Sequence, residues 1–220
     1  MNDQQPVDAS FSEIEWAISE ERMKTYLMAA GHNRSKALAL YLWNARIGEA
    51  FHLPIQAVEV ALRNAINRAL CKEFGQVWWN AERFTQMLDQ DRANDLELVK
   101  RRIANRKLAL TNGQIVAGLS FGFWAGMLQP RYNPAFWSKY INSAFPGLPH
   151  GRGRKSLAAA VAQIATLRNR ISHHEPLLKR DHFRDYGLVM ETLSWICPAK
   201  SNWIKPHCKV PELIRAKPKG

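Results

Sequence analysis

The sequence predicts an all-α protein, and three observations support this prediction. Apolar residues recur at intervals of three and four along most of the chain, as they do on the buried face of a helix. Residues that favour helix starts precede these stretches, and glycine or proline often follows them. No segment alternates apolar and polar residues convincingly, and no hairpin dipeptide joins two β-rich stretches.

The start and stop signals place the predicted helices in order. A helix over 19–31 begins with Ser19 as its N-cap. A second helix, over 35–52, ends before Pro54, and a third, over 54–74, starts with that proline, which favours the first turn of a helix. The remaining predicted helices cover 80–89, 91–109, 112–127, 133–143, 155–173 and 182–196.

These helices form one predicted domain. Hydrophobic residues make up 46% of the 220 residues, which is sufficient for a core of domain size. The domain covers 19–196, after an N-terminal extension (1–18) and before a basic, proline-containing C-terminal tail (197–220). The tail has few apolar residues, so we expect it to pack loosely. A flexible basic loop is predicted over 147–155.

The charge of the chain indicates a polyanionic partner. There are 31 lysine and arginine residues against 19 acidic residues, a formal net charge of +12. No apolar stretch approaches the roughly 20 residues that span a bilayer, and the first ten residues lack the features of a signal peptide. The cysteines are scattered and odd in number, unlike a disulfide framework, and match no zinc-binding pattern. We therefore expect a cytoplasmic protein without membrane partner, metal or other cofactor.

The segment LRNRISHHEP (167–176) carries the candidate chemistry. On a helix, Arg168 lies at the border of the apolar face, while Asn169 and His173, four residues apart, share the neighbouring face. Pro176 disfavours helical geometry at the preceding residue, so the helix should end near His173 or the histidine after it. A histidine in that last turn has room to move toward the arginine.

These residue types suit metal-independent cleavage of RNA by the neighbouring 2′-hydroxyl group. Histidine transfers protons near neutral pH, and arginine holds a phosphate while charge develops on it. The reaction needs both an acid and a base, so His174 or the histidine of a second chain would complete the pair. The structural alternative is a helix end in which Arg168 contacts a core carboxylate and the histidines bind the last carbonyl groups.

A related segment, LRNAIN (62–67), lacks the histidine and therefore cannot perform acid–base chemistry. Glu59 lies four residues before Arg63, which is a favourable spacing for an ion pair, and Asn64 lies on the polar side of the helix. Two interpretations remain open here. Either the pair is an ordinary surface contact, or Glu59 or Asn64 supports the Arg168–His173 site.

Basic residues close to the motif are candidates for RNA binding. Arg152, Arg154 and Lys155 precede the motif helix near its amino end, and Arg170 lies within the motif. A solvated charged surface is the alternative for these residues. The looser arginine–histidine pair in RIGEAFH (46–52) is interpreted as accidental.

An ordered set of segments resembles the Abi-like (abortive infection) family of the HEPN superfamily. The set covers roughly 19–195 and consists of SEERMKTYLMAAG, ALALYLWNARIGEAF, EVALRNAINRAL, LSFGFWAGML and LRNRISHHEPL. The resemblance implies a HEPN-like helical bundle with additional N-terminal helices, which dimerises so that two motifs face a shared cleft. It also implies that His173 acts in acid–base chemistry, that Arg168 holds the scissile phosphate, and that Asn169 belongs to the same motif.

The resemblance further implies an endoribonuclease that acts in bacterial phage defence or as the toxin of a toxin–antitoxin system. Expected partners are an RNA substrate, a second copy of the chain in a homodimer or higher homo-oligomer, and an antitoxin protein or small RNA. A different hypothesis is a non-catalytic helical module that binds RNA or a partner protein through the same basic surfaces.

Overall fold

The structure is a computed structural model that describes residues 5–218, with side chains from Phe11 onward. The predicted all-α fold is confirmed, since every regular element in this part of the chain is helical. The α-helices are α1 (Gln5–Ile18), α2 (Glu20–Ala29), α3 (Arg34–Phe74), α4 (Glu82–Thr85), α5 (Gln90–Asn105), α6 (Asn112–Gly118), α7 (Phe121–Gly126), α8 (Ser138–Ala144), α9 (Arg154–Ser172), α10 (His182–Ile196), α11 (Pro198–Ile204) and α12 (Val210–Arg215). None of them combines the length and the apolar character that a membrane-spanning segment needs.

Helices α1 and α2 pack on the beginning of α3. The N-terminal extension predicted over 1–18 is largely helix α1, while residues 1–4 lie outside the described residues. Ser19 is the N-cap of α2, as predicted, and its hydroxyl accepts a hydrogen bond from the backbone N–H of Arg22 at 3.4 Å. A small apolar cluster joins the three helices and contains Phe11, Met23, Tyr26, Ala30, Ala37 and Leu40.

The prediction of separate helices before and after Pro54 is wrong, because α3 runs through the proline without a break. A proline inside a helix removes one backbone hydrogen bond and crowds the preceding turn, at a cost of about 3 kcal/mol. Apolar side chains on both sides of the proline are buried against the core, namely Phe51, Ile55, Val58 and Leu62. Each stabilises the folded chain by roughly 1.5–3 kcal/mol, so their burial outweighs the cost of the proline.

The middle of the chain is more segmented than the sequence predicts. The helix predicted over 112–127 is two helices, α6 and α7, because the Ser120 hydroxyl accepts a hydrogen bond from the N–H of Phe123 at 3.1 Å and starts a new helix. The segment predicted as a helix over 80–89 contains only the single turn of α4. The predicted helix over 133–143 begins as a π-helical turn and continues as α8.

Aromatic side chains fill the core that surrounds α3. Trp78, Trp79, Trp124 and Trp137 are almost completely buried, and Trp78 makes edge-to-face contacts with Trp79, Phe84 and Trp124. The aromatic residues of LSFGFWAG therefore belong to the core. Two other tryptophans, Trp16 and Trp203, lie mostly exposed on the surface.

The expectation of a loosely packed C-terminal tail is wrong. Helices α11 and α12 pack on α3 and α10, with Ile204 and Val210 buried. The indole N–H of Trp43 donates a hydrogen bond to the carbonyl oxygen of Leu213 at 2.7 Å. The ammonium group of Lys217 lies 5.0 Å from the centre of the Trp43 ring and donates to the carbonyl oxygen of Leu178 at 2.9 Å. Two buried apolar side chains and the contacts of Trp43 and Lys217 therefore hold this segment on the core despite its low apolar content.

The buried imidazole of His182 makes the stability of this fold depend on pH. His182 begins α10, its ring meets Trp43 edge to face at 5.2 Å, and its Nε2 atom has no hydrogen-bond partner. Burial lowers the pKa of His182 below its ordinary value, and the charge of Lys217 lowers it further. The unfolded chain therefore takes up a proton near pH 6.5 that the folded chain resists. This contribution to stability is complete above that pH and is lost as the pH falls through the folded pKa.

We predict that replacing His182 by phenylalanine removes this loss. The free energy of unfolding of the wild-type protein should decrease from about pH 7.5 to about pH 5.5, and that of His182→Phe should decrease less. Urea unfolding followed by circular dichroism at both pH values measures the difference. His150→Phe, at an exposed loop position, is the control and should keep the wild-type dependence. Equal slopes for wild type and His182→Phe would contradict the prediction.

Candidate functional site

Helix α9 ends at Ser172, and His173 is its C-cap, as the sequence predicts. The backbone N–H of Glu175 donates to the carbonyl oxygen of Arg170 at 2.9 Å, and that of His174 donates to Ile171 at 3.0 Å. This pair of bonds is the Schellman arrangement, which places the residue after the C-cap in the left-handed region. That residue is usually glycine, but here it is His174, with φ of 56°. The turn therefore carries strain at a histidine.

Two long-range hydrogen bonds fix the turn that follows α9. The backbone N–H of Leu177 donates to the buried Oδ1 atom of Asn44 on α3 at 2.6 Å. The guanidinium of Arg22 on α2 donates to the carbonyl oxygen of His174 at 2.9 Å. The Asn44 bond lies in the protein interior, where leaving a backbone donor unpaired costs about 1–3 kcal/mol. The backbone of His174 is thus held by two helices that are distant in sequence.

Arg168 lies beside Glu59 and Asn169. Its Nε atom is 3.2 Å from the Oε1 atom of Glu59, and its NH1 atom is 3.4 Å from the Oδ1 atom of Asn169. The predicted proximity of Glu59 to the motif is therefore present in the structure. The Arg168 side chain is 44% exposed, and a surface ion pair of this kind contributes only about 0–1 kcal/mol. An incoming phosphate can replace the carboxylate at little cost.

The ion pair anticipated between Glu59 and Arg63 is replaced by this contact. The Nε atom of Arg63 is buried without a hydrogen-bond partner. The ammonium group of Lys200 donates a hydrogen bond to the carbonyl oxygen of Ala57 at 3.2 Å. Burial lowers the pKa of Lys200; Cys197 acts in the opposite direction, and the positive charge of Arg63 lowers the pKa further. Neither Arg63 nor Asn64 lines the groove beside Arg168.

That groove lies between α3 and the end of α9. Its larger part has a volume of about 820 Å³ and its smaller part about 130 Å³. The two parts share His52, Gln56 and Ile171. The larger part is further lined by residues that include Arg22, Tyr26, Asn44, Glu49, His174 and Glu175, and the smaller part by Ile55, Glu59, Arg168 and Ser172. The two parts are therefore adjacent, with Arg22 on α2 lining the larger and Arg168 on α9 lining the smaller.

The charges along the groove are uneven. Glu49 and Glu175 lie in the larger part, and Arg170 pairs with Glu175 at 3.0 Å between Nε and Oε2. Burial raises the pKa of Tyr26 to about 12, so this phenol remains a neutral hydrogen-bonding group at physiological pH. Arg22 and Arg168 place cationic groups at the two ends of the groove. An anion would bind preferentially at these ends.

The positions of the three histidines near the groove differ from those expected from the sequence. His173 is exposed and lines neither part of the groove, and its imidazole makes no hydrogen bond or ion pair with any residue in 11–218. His174 lines the larger part, and His52 lines both parts. The sequence analysis interprets the arginine–histidine pair that contains His52 as accidental and therefore does not assign His52 to the site. A polar stripe on α3, formed by His52, Gln56 and Glu59 at positions i, i+4 and i+7, is the signal that could have found it.

The basic residues predicted to bind RNA lie in two places. Arg154 donates to the carbonyl oxygen of Leu128 at 2.6 Å, and Arg152 lies over the Trp195 ring at 5.4 Å. These residues and the exposed Lys155 are at the amino end of α9, about 21 Å along the helix from Arg168, so they do not border the groove. Arg170 lines a separate cavity on the other side of the turn, with a volume of about 650 Å³, together with Lys179, Arg180 and Lys217.

Comparisons with protein-family models, curated proteins and solved structures give no match to this chain. The family resemblance accordingly rests on the ordered sequence segments. Among residues 11–218, no group of three or more histidine, cysteine or acidic side chains is arranged to hold a metal ion. The groove presents guanidinium, imidazole, carboxylate and amide side chains.

We predict that His174→Gly and His173→Gly change stability in opposite directions. Glycine adopts positive φ without strain, so His174→Gly should raise the free energy of unfolding by roughly 0.5–1 kcal/mol. His173 has φ of −92°, where glycine only increases the freedom of the unfolded chain, so His173→Gly should lower it by a similar amount. Urea unfolding measures both values. A decrease in the free energy of unfolding for both variants would show that the left-handed geometry at His174 carries no cost.

Proposed function

We propose that this protein is a metal-independent endoribonuclease of the HEPN type, acting in bacterial phage defence or as the toxin of a toxin–antitoxin system. One observation carries the proposal: the exposed guanidinium of Arg168, oriented by Glu59 and Asn169, lies at the end of a groove lined by imidazoles. The net charge of +12 supports a polyanionic substrate. The sequence resemblance to the Abi-like family points to the same activity.

In the proposed reaction, Arg168 exchanges its contact with Glu59 for a contact with the scissile phosphate. A base removes the proton of the neighbouring 2′-hydroxyl group, and the 2′-oxygen forms a bond to phosphorus. The bond between phosphorus and the 5′-oxygen breaks, and an acid protonates that leaving oxygen. The products are a 2′,3′-cyclic phosphate and a 5′-hydroxyl group. Arg168 stabilises the charge that develops on the non-bridging oxygens.

His173 is the proposed proton-transfer residue, with His174 and Asn169 in assisting roles. Its exposure makes the His173 side chain accessible to a second copy of the chain, in line with the homodimer that the resemblance implies. The cytoplasm is the expected compartment, and an antitoxin protein or small RNA is the expected regulator.

The second candidate function is a non-catalytic module that binds RNA or a partner protein. Two observations favour it: the charge of Arg168 is already balanced by Glu59, and His173 does not line the groove. Exposed aromatic side chains, including Trp203 and Phe183, offer surfaces for a partner. In this case the basic surfaces would bind RNA without cleaving it.

A cleavage assay separates the two functions. We expect purified wild-type protein to cleave single-stranded RNA in the presence of EDTA and to leave a 2′,3′-cyclic phosphate. Arg168→Ala and His173→Ala should each lower the cleavage rate by about 100-fold or more, because each removes a group that acts in the transition state. Lys36→Ala, which removes an exposed cation in the first turn of α3 outside the groove, is the control and should cleave within a few-fold of wild type.

Parallel binding measurements over a salt titration complete the test. Retained RNA binding with lost cleavage supports the nuclease, and relief of growth toxicity by His173→Ala would agree with it. RNA binding without cleavage by the folded wild-type protein would establish the non-catalytic module instead. A loss of activity in His174→Ala alone would transfer the proton-transfer role to the histidine that lines the groove.

A further inference from the structure

The proposed reaction requires two proton transfers on opposite sides of one phosphorus atom. The base acts on the attacking oxygen and the acid on the leaving oxygen, and a single imidazole cannot be in both places in one step. The imidazole of His174, just beyond the end of α9, lies on one wall of the groove, and the neighbouring His173 is exposed outside it. The opposite wall is formed largely by α3, with Arg22 and Tyr26 of α2 beside it, so α3 is the main source of a second proton-transfer group from the same chain.

His52 is the one histidine of α3, and it lies on this wall between two acidic residues, Glu49 and Glu59. It lines both parts of the groove, so it is adjacent to the space beside Arg168 and to the space beside His174. Helix geometry agrees with this position. His52 is about 6 Å along α3 from Gly48, where an added Cβ would lie 3.6 Å from Ile171 on α9. It is about 10 Å along α3 from Glu59, which contacts Arg168.

The surroundings of His52 leave its imidazole available for a substrate. The side chain is exposed, and it makes no hydrogen bond or ion pair with any residue whose side chain the structure describes. Its backbone lies in a continuous helix whose neighbours Phe51 and Ile55 are buried. His52 therefore combines a fixed backbone with an exposed side chain at the groove, which suits a catalytic group. Gln56, one turn further along α3, lines the same two parts of the groove.

We propose that His52 is the second proton-transfer residue of this site, acting across the groove from the histidines at the end of α9 on a phosphate bound by Arg168. This inference rests on the proposed ribonuclease function. It supplies the second imidazole from the same chain, and it assigns chemistry to a histidine that the sequence motif does not include.

The pH dependence of RNA cleavage tests this assignment. Wild-type protein should give a bell-shaped profile, with one limb for the base and one for the acid. His52→Ala and His52→Gln should both lower the rate of cleavage by about 100-fold or more and remove one limb of the profile. Neither replacement side chain can take up or release a proton near neutral pH. RNA binding in a salt titration should stay within a few-fold of wild type. Added imidazole should partly restore the cleavage by His52→Ala.

Two controls separate proton transfer from a structural role. His150→Ala and His207→Ala each remove an exposed histidine that lines neither part of the groove. Both should cleave within about threefold of wild type and keep both limbs of the profile. Full activity in His52→Gln would show that His52 only contributes a hydrogen bond or packing, and it would overturn the proposal.

The failure of this inference is distinguishable from the failure of the proposed function. Wild-type protein that cleaves RNA, together with a His52→Ala variant that retains activity and both limbs, contradicts the role of His52 alone. Wild-type protein that is folded and does not cleave RNA contradicts both. Cleavage that depends on His173 and His174 but not on His52 would place both proton transfers at the end of α9.

Discussion

The continuity of α3 is the constraint on which the rest of the structure depends. This helix has 41 residues and is about 60 Å long, and it contacts α2, α7, α9, α10 and the C-terminal helices. The large core cluster and the small N-terminal cluster meet along it. Because Asn44, His52 and Glu59 lie on this one helix, their relative positions follow from helix geometry rather than from loop conformation.

The end of α9 shows how tertiary contacts place a polar turn against that helix. The buried Oδ1 atom of Asn44 accepts a hydrogen bond from the backbone N–H of Leu177, and the Arg22 guanidinium donates one to the carbonyl oxygen of His174. These contacts hold the turn close to α3 and form one wall of the groove. Arg168, one turn of helix earlier, is oriented by a weak surface ion pair with Glu59. The site thus combines a firmly held backbone with a guanidinium that can exchange partners.

Local sequence signals were sufficient for some elements of this fold. The caps at Ser19 and His173 could be predicted, because capping depends on residues within one turn. The continuity of α3 could not, because the local penalty at Pro54 is overridden by apolar contacts with helices far along the chain. The packing of the C-terminal segment depends on Trp43, more than 160 residues earlier in sequence. The position of His52 beside Arg168 likewise arises only when α3 and α9 pack together.

The left-handed conformation of His174 also bears on how this position would vary among related chains. Glycine suits the backbone there, whereas the proposed function uses an imidazole, so under that proposal folding stability and ligand chemistry favour different residues at one site. Relatives in which only the turn is under selection would drift toward glycine or asparagine. Relatives that keep histidine despite its conformational cost would be those in which the side chain serves the groove. Under the proposed function, the residue at this position in a related chain would therefore indicate whether folding stability or the chemistry of the groove has been the stronger selective requirement.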